Sequence, residues 1–383
     1  MTFQLAREGR NLDNSGLALP KPTESGGDRV RSSWYYNSMT ATIAVMSRVF
    51  IMRVGIGALF VVIVGSVAFS LPAFLAIGIQ HEQERTVSLM REQFPVTVDP
   101  KNKAIVENAQ VNAFLEGADS PLQAAAINAG SVLKNAFAWI AVAIADAPWY
   151  QSIAAADGRF VNITPGMRKE QVVGAFANAL AWNAAQKKEF LTAPPSSALP
   201  LTEGSFSPGI YFVEMNTTPS AAQSIVNERF YENILSRYGT TTAQVVPLEQ
   251  ALTIASLIER EAGGADDMRI ISGIIWNRLF INMNLQIDAT LQYVKANSGA
   301  GTGWWPVPVP ADRFRKSPYN TYLHSGLPPT PIANPSVASV LAALNPKNTS
   351  CFFYFHDAAG GFHCTDTYAG HVALLKKHYG RGK

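Results

Sequence analysis

Cysteine is nearly absent from this chain of 383 residues, which holds two, Cys351 and Cys364. No CxxC pair occurs, so the spacing of structural zinc sites and redox dithiols is missing. The two cysteines flank CFFYFHDAAGGFHC, read as a hairpin turning near Ala359. A ladder about that point pairs position 351 with 367 and 364 with 354. The sulfurs then fall several residues out of register, and two free thiols are expected. His356, His363 and His371 straddle the same hairpin without a recognised ligand spacing, and no metal site is expected there. Charge is scarce as well, at 15% of residues with a formal net charge of +3. No block of Lys and Arg is long enough to follow a phosphate backbone, so nucleic acid is not an expected partner.

Apolar residues are plentiful, at 48%. Val54 to Ile79 runs 26 positions without a charge. As a helix it would reach roughly 39 Å, more than the ~30 Å hydrocarbon core of a bilayer. The stretch reads as a transmembrane helix rather than a cleaved signal peptide, because 53 residues precede it and signal n-regions are short. Arg29, Arg31, Arg48 and Arg53 precede the span; Arg85 and Arg91, with Glu82, Glu84 and Glu92, follow it. That bias places the N-terminus in the cytoplasm and the bulk of the chain on the outer side of the cell (inner) membrane. Asn135 to Ala145 is apolar but too short to span and reads as a buried helix.

The chain divides into a polar cytoplasmic tail over 1–53, the span over 54–79, a membrane-proximal region with linker over 80–200, and an α+β domain over 201–383. FVNITPGMRKEQVVGAFANALAW reads as a strand, a turn at Pro165-Gly166 and a helix with Val172, Phe176 and Leu180 on one face. TAPPSSALPL, Thr192 to Leu201, reads as a linker. Helices follow from Thr217 or Thr218 to Gly239, from Pro247 to Glu261 and from Asp267 to Asn282. A proline-rich loop, the short helix SVASVLAALNP and the hairpin complete the α+β pattern.

IASLIEREAGG, Ile254 to Gly264, carries two glutamates at the end of an apolar run. Residues two apart on a helix point about 200° away from each other, so Glu259 and Glu261 cannot act as a pair on one bond. Glu261 stacks over Leu257, Ile258 and Ile254, while Glu259 stacks over Ala255, Ser256 and Leu252. A carboxyl against branched aliphatics loses solvation, its pKa rises, and it suits a general acid near neutral pH. The competing reading has both carboxylates fraying into solvent at the helix end.

LTIASLIEREAG, IIWNRLFINMNLQIDATLQY and SPYNTYLHSGLPPTPIANPS, in that order, closely resemble the catalytic domain of the MltG-type (YceG-like) endolytic murein transglycosylases. The resemblance covers about Thr202 to Tyr379, with EGSFSPGIYF as a looser opening motif. It implies a single N-terminal membrane span, a small LysM-like membrane-proximal domain matched only around ITPGMRKEQVV, and a YceG-like α+β catalytic domain. It puts the general acid/base on Glu261, the second glutamate of the A-S-[LI]-[IV]-E-x-E block. It also implies substrate-binding roles for Glu259, Asn277, Gln286 and Asp288, and for Tyr319, Asn320, Thr321 and Tyr322. Asn277 and its neighbour Arg278 have an equally good reading as supports of a loop. Three departures stand out. Ala289 replaces the proline after L-Q-x-D, Thr330 replaces the glycine of L-P-P-G, and Phe362 stands where a histidine follows G-G, with His363 one step later.

The resemblance implies cleavage of the β-1,4 bond between N-acetylmuramic acid and N-acetylglucosamine in peptidoglycan glycan strands, leaving 1,6-anhydro ends. The substrate supplies its own nucleophile, so one carboxylate suffices, unlike the pair that flanks the bond in ordinary glycosidases. No metal or cofactor is implied. Partners would be glycan strands, the cell membrane and peptidoglycan synthases of the penicillin-binding type, with no nucleic acid. The alternatives are an inverting glycoside hydrolase using Glu261 with Asp288, and a membrane-anchored scaffold that binds peptidoglycan without cutting it.

Overall fold

A computed structural model describes residues 53–60, 93–116, 158–192, 202–299 and 302–380. Residues 53–60 are helical and exposed, and they belong to a separate N-terminal unit. The remainder of the span expected over 54–79 lies outside the described residues, as do Asn135 to Ala145 and 193–201. Among the described residues no helix is long and apolar enough to cross a membrane.

The first elements are a two-residue ladder, β1 (Val98–Asp99) with β2 (Ala104–Ile105), and helix α1 (Ala109–Glu116). A βααβ unit follows, made of β3 (Gly158–Ile163), α2 (Lys169–Leu180), α3 (Ala184–Leu191) and β4 (Gly209–Glu214). Its strands pair antiparallel from Gly158↔Glu214 to Ile163↔Gly209. As the helical spacing predicts, Val172, Phe176 and Leu180 all point inward, where Phe190, Phe206, Tyr211 and Val213 meet them. Helix α4 (Pro219–Asn233) closes this core with Ala222 and Val226, capped by Thr218 as expected. The cores therefore do not divide at 200/201. A strand on each side of the proline-rich stretch joins one sheet, and among the described residues β3 and β4 have no ladder but each other.

The larger core is built around α6 (Leu248–Glu261), which follows the short α5 (Thr240–Val245). Every residue from Ala251 to Ile258 is buried, so the helix is central and packed on all sides. Around it lie α7 (Ala265–Phe280), α8 (Asp288–Asn297) and the almost wholly apolar α9 (Val337–Leu344). Gly273 permits the approach of α7 to the chain after α9, because a Cβ there would sit 2.2 Å from the Lys347 carbonyl oxygen. Buried Asn334 joins the two cores. Its Oδ1 accepts from the Gly204 and Phe206 N–H groups at 2.9 and 3.0 Å, and its Nδ2 donates to the Met167 carbonyl at 2.8 Å.

Strands β5 (Phe353–His356) and β6 (Phe362–Thr365) form the expected hairpin, with Tyr354 opposite Cys364, and α10 (Tyr368–Tyr379) packs behind it. The expectation of free thiols is corrected: Cys351 and Cys364 form a disulfide, their Cα atoms 5.8 Å apart. The ladder does not extend back to Cys351. The Phe352 N–H already donates to Thr365 O, one step out of simple register. Asn277 then holds the Cys351 carbonyl, and Thr349 Oγ1 accepts from its N–H. The chain bends there, and the sulfurs meet.

Candidate active site

Helix α6 ends on Glu261 because Ala262 turns extended and Gly263 follows. A Cβ on Gly263 would press on the His356 ring at 3.1 Å, so a bare backbone lets the hairpin reach the helix end. The Gly263 and Gly264 N–H groups donate to the two oxygens of Asp267, which also meets His356 Nε2 at 2.5 Å. This short turn fixes the C-terminus of α6, the N-terminus of α7 and the tip of β5 together.

The half-buried Glu261 carboxyl lies between the hairpin and the start of α8. Tyr354 Oη donates to its Oε2 at 2.9 Å, and the Ala289 N–H donates to its Oε1 at 3.4 Å. Ala289 is the second residue of α8, so the carboxyl faces a helix N-terminus with its outward N–H groups and positive dipole end. A proline at position 289 would lack that N–H. Loss of solvation pushes the Glu261 carboxyl up from its ordinary value, and the neighbouring Asp288 adds to the rise. Tyr354, the Ala289 N–H and His356 act the other way. Burial and the carboxylate together raise the Tyr354 hydroxyl far above its ordinary value, so it stays a proton donor.

Glu259, two residues earlier, faces elsewhere, as helix geometry requires. Its Oε2 accepts from the Ser336 N–H at 2.9 Å, Ser336 Oγ at 2.7 Å and Ser339 Oγ at 2.7 Å. It anchors the N-terminus of α9 and is not free for a ligand. Between the two glutamates, the Arg260 guanidinium lies 4.1 Å over the Trp305 ring.

The other expected binding residues separate into two groups. Asp288 is exposed beside Glu261 and accepts from Tyr322 Oη at 2.6 Å. Exposed Gln286 has a left-handed backbone, φ 51°, unusual for a side chain of this kind. Tyr319 is half-buried, and its hydroxyl pairs with Thr330 Oγ1 at 2.9 Å, a partner that glycine at 330 would not supply. Gln286 and Tyr319 flank the Asp288–Tyr322 pair along the chain: the Gln286 N–H donates to the Thr321 carbonyl at 3.0 Å, and the Tyr319 ring packs on Tyr293 of α8.

Asn277, Asn320 and Thr321 do not join them. Asn277 Nδ2 donates to the Thr349 and Cys351 carbonyls at 2.7 and 3.1 Å. Buried Asn320 donates to the Arg313 and Arg315 carbonyls at 3.0 and 2.8 Å. Buried Thr321 accepts from the Ile287 N–H at 3.0 Å and pairs with Thr290 at 2.9 Å. All three are scaffold. Arg278 is a clamp too, donating to Phe352 O at 2.7 Å and to the Leu285 carbonyl.

The single-residue shift near 362 has a structural consequence. Phe362 pairs with His356 and stacks on Tyr354, 5.8 Å between centroids, whereas His363 pairs with Phe355. His363 therefore lies on the sheet face away from Tyr354. His371 contacts the Phe353 and Phe355 rings, so His356, His363 and His371 do not converge. Tyr354 escaped the sequence reading, and His356 entered it only as a discounted metal ligand, because nothing local in FFYFHD reveals which face meets α6.

A family model described as the YceG-like family matches residues 123–377. An endolytic murein transglycosylase of Streptococcus pneumoniae serotype 2 (strain D39) is 28% identical over 176 residues, 45% of this chain and 31% of that protein. Its counterpart in Bacillus subtilis (strain 168) is 34% identical over 133 residues, 35% of each chain. The chain thus spans about a third of the length of these curated relatives. A crystal structure of a YceG-like protein from Listeria monocytogenes superposes with a TM-score of 0.49 at 25% identity, covering 56% of this chain and 75% of that one.

Proposed function

This chain belongs to the YceG-like family, and from that premise we propose that it is a membrane-anchored endolytic lytic transglycosylase of peptidoglycan. The observation that carries the reading is the setting of Glu261. One carboxyl, raised by burial, is held by Tyr354 and the α8 N-terminus, while Glu259 is committed to α9. The reaction asks one group to be an acid and then a base. Burial and Asp288 favour the protonated form that donates to the glycosidic oxygen. Tyr354 and the Ala289 N–H then stabilise the carboxylate left behind, which takes the proton of the muramyl 6-hydroxyl as that oxygen attacks the anomeric carbon. The bond between N-acetylmuramic acid and N-acetylglucosamine breaks and a 1,6-anhydro end forms. Asp288, Tyr322, Gln286 and Tyr319 would contact the sugars, through hydrogen bonds and ring stacking.

The finer architecture belongs to the same proposal. The βααβ unit of β3, α2, α3 and β4 would serve as the LysM-like module expected between the span and the catalytic domain. The uncharged run Val54 to Ile79 would anchor the chain in the cell membrane, with the N-terminus cytoplasmic and the catalytic part outside. The Cys351–Cys364 disulfide supports an oxidising, extracytoplasmic setting for the hairpin. Synthases of the penicillin-binding type are the partners such a strand-cutting enzyme would meet.

The test is incubation of the full chain in detergent with purified glycan strands and mass spectrometry of the new ends. Anhydro-muramic ends are expected. Reducing muramic ends without anhydro ends would point to a hydrolase using Glu261 and Asp288, and binding without any cut would point to a scaffold.

A further inference from the structure

We propose that Asp357, His363 and His378 form a binding site for a divalent transition-metal ion, zinc by its donor set, which fastens the end of α10 to the turn of the β5–β6 hairpin. Each offers a ligand atom, and these atoms all lie within 4.8 Å of one another. Asp357 Oδ2 is 2.7 Å from His363 Nε2 and 3.5 Å from His378 Nδ1. Around a tetrahedral zinc with bonds near 2.0–2.1 Å, ligand atoms sit about 3.3 Å apart, so small side-chain shifts would admit the ion.

The carboxylate is already aimed. Its Oδ1 accepts from the Ala359 and Gly361 N–H groups at 2.9 Å each, leaving Oδ2 to face the imidazoles. The two histidine rings are 4.3 Å apart, and both contact Phe355. Two imidazoles with one carboxylate favour zinc over magnesium or calcium, which take oxygen ligands.

The placement gives the ion a consequence. His363 is opposite Phe355, on the face away from Tyr354, so the metal would not touch the Glu261 site. It would act as a brace. The disulfide closes the hairpin at its open end, and the ion would close it at the turn, beside the Tyr379 hydroxyl that donates to His356 O at 2.5 Å. This inference does not depend on what Glu261 does.

The full chain, stripped with chelator, is titrated with zinc chloride by isothermal calorimetry, and its thermal unfolding is followed with and without zinc. One ion per chain and a zinc-dependent rise in the unfolding midpoint are expected. Asp357→Asn and His378→Gln should each weaken binding by at least about tenfold and lose the zinc-dependent rise. His371→Ala should bind as the wild type does. Asp357→Asn keeps an oxygen for the turn N–H groups, and an unchanged zinc-free midpoint certifies its fold. Absence of stoichiometric binding, or variants that bind zinc as tightly as wild type, would overturn the proposal.

Discussion

Tyr354 on β5 donates its hydroxyl proton to Glu261 Oε2 across 2.9 Å, tying the hairpin to the last residue of α6. The two residues lie 93 positions apart, and the link makes the acidity of Glu261 depend on the hairpin. Tyr354→Phe removes a donor that favours the carboxylate, so the pKa of Glu261 rises further. The alkaline limb of kcat/KM, where Glu261 loses its proton, is expected to move to higher pH, with a lower rate at its plateau. A pH profile unchanged from wild type would separate the hydroxyl from the chemistry.

Glu261→Gln should reduce glycan cleavage by about a thousandfold, within the range for a general acid/base. Its effect on stability is the opposite of a loss. The native pKa of Glu261 is raised, so its stabilising contribution is complete below the unfolded value and disappears as pH climbs through the folded one. Urea unfolding should show the amide variant more stable than wild type at pH 8, with the difference shrinking toward pH 4.

Glu203 provides the same sign at a second buried carboxyl. Burial, followed by Glu170, lifts its carboxyl to about 8 from 4.5. Native protein then holds a proton that the unfolded chain releases between these values, and stability falls as pH rises from 4.5 through about 8. Glu203→Gln should flatten that fall, on the order of a few kcal/mol, as read from urea midpoints across this window.

Glu259→Ala leaves Ser336, Ser339 and one backbone N–H without their shared acceptor. A loss of about 2 kcal/mol in unfolding free energy is expected, whereas Glu259→Gln keeps an oxygen and should lose less. A variant as stable as wild type would show that α9 does not depend on this carboxylate.

Reducing Cys351–Cys364 opens a loop of 13 residues in sequence separation. The chain-entropy estimate for such a loop is about 3 kcal/mol. Cys351→Ala with Cys364→Ala should lower the unfolding midpoint accordingly. It should also lower activity, since the freed hairpin carries Tyr354.

Much of this architecture is written locally. The spacing of Val172, Phe176 and Leu180 announced α2, the Thr217-Thr218 pair announced the start of α4, and the 200° separation of Glu259 and Glu261 foretold that they would part. What stayed hidden depends on long-range contacts. The Pro/Ser stretch near 200 looks like a domain linker, yet strands from both sides of it pair. The cysteines looked out of register because a bend held by Asn277, seventy-four residues before Cys351, has no local signal. Asn320 and Thr321 share a motif with two tyrosines at the site, and only burial tells scaffold from surface.

Cleavage of glycan strands in water enriched in oxygen-18 tests the central claim most directly. Because the attacking oxygen belongs to the muramyl 6-hydroxyl in this account, wild-type protein should release anhydro ends carrying no label. Glu261→Gln should release almost none. One labelled oxygen at each new end would show that water is the nucleophile and would contradict the assignment of Glu261 as the sole acid and base.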